Sequence, residues 1–280
     1  MSMVINGATR LYAIVGDPVI QVRSPEVYTR HFTEAGVNAI LFAAEINAAN
    51  FVSGMRGLMS VNNLDGLLVT SPHKGAAVSL ADRISTVSQI SGAVNALRRE
   101  SDGSWSGDMF DGAGFVAALL RHGAIVSASV LLFGCGGAGA AIAAGLAAQR
   151  VGSITLVDPD AERTERLRNA LLASFPACDV TVRATEAERA TEISGNAAWR
   201  SARKDIVINA SVVGMRDADG LPGATGVIDA QSIVGDVVLR PAHAPTALIA
   251  AARSAGARVV TGEDMHRGQM AAILAFFSRE

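Results

Sequence analysis

The chain has 280 residues, of which 50% are apolar and 18% charged, with a formal net charge of −2. This composition excludes a disordered chain, and the small net charge gives no electrostatic basis for nucleic acid or a membrane as the main partner. The two cysteines, Cys135 and Cys178, match neither a disulfide framework nor a metal-binding spacing. With no signal-peptide pattern at the start, we expect a reduced cytoplasmic protein that binds no metal.

Apolar runs of strand length alternate with helical patterns in the first part of the chain. The predicted strands are residues 11–15, 40–45, 66–69 and 93–97, and the predicted helices are residues 25–35 and 48–59. Ser24 is expected to cap the first helix, with Pro25 at its first position. A polar turn containing glycine is expected at 101–107, followed by a helix over 112–122.

A second alternating series begins at Ser129. Its predicted strands are residues 130–133, 154–157, 206–209, 237–239 and 257–260, and its predicted helices are 137–149, 161–173, 246–255 and 264–277. The uncharged stretch 130–148 is nearly long enough to span a bilayer, but its clustered glycines favour a buried strand, a tight turn and a buried helix. The pattern predicts an α/β fold with a domain boundary near Gly112.

A glycine-rich segment, GCGGAG at residues 134–139, follows one predicted strand and opens the next predicted helix. In the spacing G-x-G-x-x-G, the first glycine permits a tight turn, the second lets a pyrophosphate approach the backbone, and the third allows close packing of helix on strand. The helix N-terminus also attracts phosphate. The predicted cofactor-binding residues of this segment are Gly134, Gly136, Gly137, Ala138 and Gly139.

An acidic residue, Asp158, ends the next predicted strand. About 20 residues after the glycines, such a carboxylate accepts a hydrogen bond from the ribose 2′-hydroxyl of NAD and repels the 2′-phosphate of NADP. We therefore expect NAD as the cofactor, with NADP disfavoured. The alternative is that Asp158 is an ordinary turn residue before Pro159.

Five further segments of the sequence carry recognisable motifs. They are residues 69–74 (VTSPHK), 92–95 (GAVN), 107–112 (GDMFDG), 209–215 (NASVVGM) and 262–269 (GEDMHRGQ). From about residue 16 to the C-terminus, this set resembles the shikimate dehydrogenase family. The resemblance implies an N-terminal α/β substrate domain over 1–112, completed by 243–280, and a Rossmann-type domain with a doubly wound parallel sheet over 113–242.

The resemblance implies Lys74 and Asp111 as catalytic residues. Alcohol oxidation needs a general base near the hydroxyl, and a lysine of lowered pKa held by a carboxylate can serve. The residues alone also permit a surface lysine and an aspartate that caps a helix. By the same resemblance, Ser24, Thr70, Asn95 and Gln269 contact the substrate, and Asn209, Ala210 and Gly262 contact the cofactor. Structural or surface roles are expected for His73, His243 and His266.

Several positions depart from the family pattern. Val22 replaces the first of two serines that bind the substrate carboxylate, and Leu239 replaces a tyrosine; both are counted as substrate-pocket positions. Leu68 replaces an asparagine. Residues 158–160, DPD, replace the asparagine-arginine-threonine of NADP-using members. Losing a hydrogen bond to a charged group costs about 1.5–3 kcal/mol, so shikimate itself is not expected to be the preferred substrate.

The sequence therefore predicts a NAD(H)-dependent oxidoreductase for a cyclic polyhydroxylated carboxylate, such as shikimate, quinate or a relative, working as a monomer or homodimer. One alternative is a dehydrogenase for a less polar cyclic alcohol. Another is a non-catalytic NAD-binding regulatory protein, which the retention of Lys74 and Asp111 disfavours. A different lysine-using Rossmann enzyme, such as a methylene-tetrahydrofolate dehydrogenase, would leave residues 262–269 unexplained.

Overall fold

The computed structural model describes residues 5–183, 204–223, 225 and 228–278. The chain divides into two compact units. The first contains the residues up to Phe110 together with those from Ile273 onward, and the second runs from Asp111 to Ala272. Each unit contains one sheet of six described strands. The predicted two-domain α/β architecture is confirmed.

The first unit is a mixed sheet covered by short helices. Its strands are β1 (Arg10–Gly16), β2 (Ala39–Glu45), β3 (Leu64–Val69), β4 (Arg83–Ile84), β5 (Ala96–Arg99) and β6 (Trp105–Asp108), and its helices are α1 (Ser24–Glu34), α2 (Phe51–Met59) and α3 (Thr86–Ser91). The sheet order is β2-β1-β3-β5-β6-β4. Because β1 and β3 are parallel, the loops after Gly16 and Val69 leave the same edge. Residues such as Met55, Leu67 and Leu97 form the buried core.

The second unit is a parallel sheet of the Rossmann type. Its strands are β7 (Ser129–Phe133), β8 (Ser153–Val157), β9 (Asp179–Arg183), β10 (Ile206–Asn209), β11 (Ile233–Asp236) and β12 (Arg258–Thr261), and its helices are α4 (Asp111–Leu120), α5 (Gly137–Ala148), α6 (Ala161–Ser174), α7 (Ala247–Ser254) and α8 (Gly262–Ser278), which continues into the first unit. Of the helices in the described part of the chain, none is long and apolar enough to cross a membrane.

The strand order of the second sheet determines where a ligand would bind. The order is β12-β11-β10-β7-β8-β9, and every neighbouring pair is parallel. This is the doubly wound order in which the chain direction across the sheet reverses between the first and fourth strands, here β7 and β10. Ligands of such sheets bind outside the carboxyl ends of the strands at that reversal. The glycine-rich segment 134–139 directly follows β7 and therefore lies at this point.

The observed boundary between the units differs from the expected one. Residues 243–272 were expected to complete the first domain, but β12 pairs with β11, and Leu248 of α7 packs in the core of the second sheet with Val207. Only the end of α8 joins the first unit, where the ring of Phe277 lies 4.9 Å from that of Tyr12. Hydrophobic packing of α7 and β12 against the parallel sheet therefore assigns this segment to the second unit.

One predicted strand and one predicted turn were misplaced. The strand expected at 237–239 lies instead at Ile233–Asp236. Gly235 pairs with Ile208 and Val260 in this strand. A Cβ at 235 would lie 2.2 Å from the ring of Phe115, so only glycine fits there, whereas Leu239 is 60% exposed. The turn expected at 101–107 is shorter, since Trp105 is buried and pairs with β5.

Helix starts also moved by one residue. Ser24 is not the cap of α1, because the carbonyl of Arg23 already accepts the first helical hydrogen bond, from the N–H of Val27 at 3.1 Å. Pro25 is therefore the second helical residue rather than the first. Helix α4 begins at Asp111 rather than Gly112, so Asp111 contributes a carboxylate to the first turn instead of capping it. Strands β4, β6 and β9 and helix α3 were not predicted.

Candidate functional site

The loop that carries Lys74 is held from both sides within the first unit. The main-chain carbonyl of Lys74 accepts a hydrogen bond from the N–H of Val94, 2.9 Å away. His73 is 3% exposed; its ring stacks on Phe51 with centroids 4.2 Å apart, and its Nε2 lies 2.6 Å from the carbonyl oxygen of Ile46. His73 therefore has the structural role expected for it, and the half-buried Lys74 side chain starts from a fixed backbone.

Asn95 connects this loop to the segment that precedes Asp111. Its Oδ1 accepts a hydrogen bond from the N–H of Phe110 at 2.9 Å, and its main chain pairs with Asp108 and Val69. The side chain is 5% exposed. The side-chain oxygen of Asn95 thus satisfies a main-chain N–H group. The same contact brings the end of the motif at 107–112 beside strand β5.

Ser24, Val22 and Thr70 lie near the edge where β1 and β3 end. All three are half-buried. The N–H of Thr70 donates to the carbonyl of Val15 at 2.9 Å, and a Cβ on Gly16 would lie 2.4 Å from the Thr70 methyl. Val22 closes a turn onto Val19, whose N–H donates to a carboxylate oxygen of Glu45 at 3.0 Å. Glu45, which the sequence did not single out, thus anchors the loop that carries Val22.

The segment at 134–139, called the glycine loop from here on, has the backbone that the motif predicted. Gly134 has φ of +90°, in the region that favours glycine. A Cβ on Gly139 would lie 1.9 Å from the carbonyl oxygen of Gly134. By contrast, a Cβ on Gly136, the residue before α5, would meet no atom of the described residues within 4 Å. The loop therefore leaves open space beside the N-terminus of α5. Gly137 and Ala138, its first two helical residues, are half-buried.

Cys135, inside the glycine loop, is a buried thiol of low reactivity. It is 3% exposed, and burial raises the pKa of its thiol to about 12. A thiol with such a pKa stays protonated near neutral pH and is a poor nucleophile. Cys178 is also buried, and burial raises its pKa.

The end of β8 carries two carboxylates of different exposure. Asp158 is 5% exposed and accepts hydrogen bonds from the N–H groups of Cys135, at 2.7 Å, and Asp160, at 2.9 Å. Asp160, with a side chain 40% exposed, caps α6 by accepting from the N–H of Arg163 at 2.9 Å. The Arg163 guanidinium forms ion pairs with both carboxylates.

A buried network joins the ends of β10 and β11. Asn209 donates from Nδ2 to the Asp236 carboxylate at 3.0 Å and accepts at Oδ1 from the hydroxyl of Ser211 at 2.6 Å. Asp236 also accepts from the N–H of Val238 and the hydroxyl of Thr246. Burial raises the pKa of the Asp236 carboxyl, opposed by these hydrogen bonds. Asp236 was not singled out from the sequence, because the strand that contains it was predicted four residues too late.

Within the second unit, α4 and α8 cross through glycines. A Cβ on Gly114 would lie 2.4 Å from the carbonyl oxygen of Met265 and 2.7 Å from the Cβ of Gln269. The side-chain amide of Gln269 lies 2.8 Å from Nδ1 of His266. Asp111 opens α4 and is 1% exposed. Gln269 therefore lies beside Gly114, which is one helical turn after Asp111 in α4.

Exposed apolar side chains lie after the ends of β10 and β11. Val212, Met215 and Leu239 are 70%, 60% and 60% exposed. Arg240 links the two segments by donating to the Met215 carbonyl at 3.3 Å. Gly262 is required for packing, since its Cβ would lie 2.5 Å from the Val237 carbonyl oxygen. Leu68, which replaces an asparagine of the family pattern, is 5% exposed in β3.

The sequence of this chain is similar to those of known proteins. Residues 14–97 match the family described as shikimate dehydrogenase substrate binding domain. A curated shikimate dehydrogenase (NADP(+)) of Rubrobacter xylanophilus is 34% identical, over 93% of this chain and 88% of its own length.

Two similar solved structures share the fold. The shikimate 5-dehydrogenase of Listeria monocytogenes, in complex with shikimate and NAD, superposes with a TM-score of 0.84 at 24% identity, covering 100% of this chain and 95% of its own. The ligand-free 5-ketofructose reductase of a Gluconobacter species gives 0.82 at 23% identity, with coverages of 97% and 94%.

Proposed function

Because the chain belongs to the shikimate dehydrogenase family, we propose that it is a NAD(H)-dependent oxidoreductase that interconverts an alcohol and a ketone on a cyclic, polyhydroxylated carboxylate. The observation that carries the proposal is the glycine loop, which closes on itself at Gly134 and Gly139 but leaves open space at Gly136. Turnover of NAD with a panel of cyclic hydroxy acids tests it. Binding of NAD without turnover of any of them would favour a regulatory protein.

The residues present fit a dinucleotide. The space at Gly136 admits a pyrophosphate, and the N-terminus of α5 offers N–H groups and a partial positive charge. The glycine loop, with Asn209, Ala210 and Gly262 of the same unit, would hold the nucleotide. When bound, its nicotinamide supplies the hydride acceptor for alcohol oxidation.

The chain's own acid–base group in this proposal is Lys74. In the direction of oxidation its amine takes the hydroxyl proton, and in reduction its ammonium returns that proton to the oxygen. Because the backbone at Lys74 is fixed by its hydrogen bond to Val94, the amine has fewer positions available to it, which favours its alignment with the hydroxyl. Asp111 is proposed, from the family resemblance, as the carboxylate that orients this transfer.

The preference for NAD is the finer part of the proposal. The curated relative is named for NADP(+), and the Listeria structure holds NAD. In this chain Asp158 and Asp160 follow β8, and the nearby Arg163 is paired with both. Two carboxylates at this position repel a 2′-phosphate more than a hydroxyl. We therefore assign NAD as the preferred cofactor.

Steady-state kinetics measures this preference. We expect kcat/KM for NAD to exceed that for NADP by at least about tenfold, equivalent to about 1.4 kcal/mol of electrostatic discrimination. Both nucleotides are compared at the same ionic strength, because salt screens the charges involved. Equal or better use of NADP would contradict the cofactor assignment and leave the family assignment intact.

Val22 favours a second candidate, a dehydrogenase for a less polar cyclic alcohol or one without a carboxylate. The fold neighbour from Gluconobacter is named as a 5-ketofructose reductase, and 5-ketofructose has no carboxylate. Val22 lies in the turn anchored by Glu45, next to Ser24 of α1. A hydroxyl at residue 22 could donate to an anion, which valine cannot.

Replacing Val22 with serine distinguishes these candidates. We expect wild-type protein to have a KM for shikimate well above a millimolar and Val22→Ser to lower it about tenfold, the effect of about 1.4 kcal/mol. The change should fall on KM rather than kcat, because the carboxylate is bound alike in ground and transition states.

Val37→Ser, at a valine that is 47% exposed, is the control for added polarity. An unchanged KM in Val22→Ser would place residue 22 outside the pocket.

A further inference from the structure

We infer that the two carboxylates after β8 have separate roles: Asp160 discriminates against a 2′-phosphorylated nucleotide, and Asp158 positions the glycine loop. This inference rests on the proposed binding of a nicotinamide nucleotide. It also revises the sequence expectation, which gave the ribose contact to Asp158.

Asp158 is largely committed to the protein. One carboxylate oxygen accepts from the N–H of Cys135 at 2.7 Å, and the other accepts from the N–H of Asp160 at 2.9 Å and from Arg163 at 3.3 Å. A carboxylate has about four acceptor positions, so these three bonds use most of them. Because Cys135 is the second residue of the glycine loop, Asp158 ties the end of β8 to that loop.

Asp160 is the accessible anion of the pair. Its side chain is 40% exposed, against 5% for Asp158. The N–H of Arg163 holds the pKa of Asp160 below its ordinary value, so the group is charged near neutral pH. An exposed, charged carboxylate after the second strand is what repels a 2′-phosphate most directly.

Arg163 makes the selectivity reversible by one substitution. Its guanidinium contacts Asp160 at 3.1 Å and Asp158 at 3.3 Å, and its side chain is 45% exposed. Removing the charge of Asp160 would leave Arg163 with a single buried partner and with donors for a phosphate, which guanidinium groups bind in a bidentate manner. Replacing Asp160 alone would thus remove its repulsion of the 2′-phosphate and let the Arg163 guanidinium attract that phosphate.

Dissociation constants for NADH and NADPH, measured by isothermal titration calorimetry on the whole protein, test the inference. Asp160→Asn keeps the helix cap, since asparagine caps as well as aspartate, and removes the charge. We expect the ratio of the NADPH to the NADH constant to fall at least about thirtyfold, since the repulsion and the pairing of Arg163 both change. Asp158→Asn should weaken both nucleotides in parallel and leave the ratio within about threefold, as a shift of the shared loop requires.

Glu162→Gln is the matched control, because it removes one charge from the same turn of α6 at a side chain that is 85% exposed. It should leave the ratio unchanged. A ratio unmoved in Asp160→Asn, moved in Asp158→Asn, or moved equally in Glu162→Gln would overturn the inference. Adding Arg163→Ala to Asp160→Asn should abolish the gain for NADPH. If wild-type protein binds neither nucleotide, the proposed function fails; if it binds them and the ratio does not respond, only the inference fails.

Discussion

Replacing Lys74 with alanine is expected to lower kcat by about 10²–10⁴-fold, the usual cost of removing a positioned general acid–base group. Binding of NAD and the melting temperature should hardly change. The side chain is only half-buried, and the loop is held by the carbonyl of Lys74 and the stacked ring of His73, which the substitution leaves in place. Initial rates on the best substrate of the panel, at saturating NAD, measure the effect.

Two further variants separate proton transfer from charge. Lys74→Arg keeps the positive charge, but a guanidinium does not release its proton in proteins, so we expect it to be nearly as impaired as Lys74→Ala. Lys204→Ala removes the other of the two lysines, which contacts Thr155 at 3.4 Å, and should retain kcat. More than a third of wild-type kcat in Lys74→Ala would show that Lys74 is a bystander.

Adding a methyl group at Gly139 is expected to destabilise the second unit. The new Cβ would lie 1.9 Å from the carbonyl oxygen of Gly134, and neither backbone can yield without opening the junction of β7 and α5. Overpacking typically costs 1–3 kcal/mol and more where backbone must move, so a fall of roughly 5–10 °C or more in Tm is expected. Differential scanning calorimetry measures it.

Gly136→Ala is the matched change in the same loop. Its methyl would enter space that the described residues leave empty, and its φ of −70° suits alanine. We expect the Tm to fall by only a few degrees, the cost of a poorer cap, while the dissociation constant for NADH rises at least about tenfold. Unchanged NADH binding in Gly136→Ala would mean that the pyrophosphate does not occupy this space. A Gly139→Ala protein as stable as wild type would contradict the packing argument.

Much of the architecture was predictable because periodicity and glycine spacing are local signals. The apolar run before Gly134 predicted a buried parallel strand, and the helix after it followed from the same motif. Elements that depend on distant partners were missed. Strand β6 escaped prediction because the partners of Trp105 lie in β5. Strand β11 was misplaced because the ring of Phe115 leaves room only for a glycine at 235, and a glycine gives no strand signal in the sequence.

The site divides in the same way. The motifs singled out Lys74 and the glycine loop as candidates, and the close contact of Gly134 with Gly139 in that loop is made between neighbours in sequence. They could not separate Asp158 from Asp160, since that difference arises from burial against Cys135 and the reach of Arg163. Nor could they identify Asp236, which matters because Asn209 and Thr246 converge on it from different elements.

The rate of NADH formation from NAD and a panel of cyclic hydroxy acids tests the central claim most directly. The panel includes quinate, shikimate, a deoxy relative and a cyclic alcohol without a carboxylate, and each is run with wild-type protein, Lys74→Ala and Lys204→Ala. We expect steady turnover of at least one carboxylate, retained in Lys204→Ala and lost in Lys74→Ala. Turnover of none, by a protein that calorimetry shows to bind NADH, would contradict it and leave a nucleotide-binding protein without the proposed chemistry.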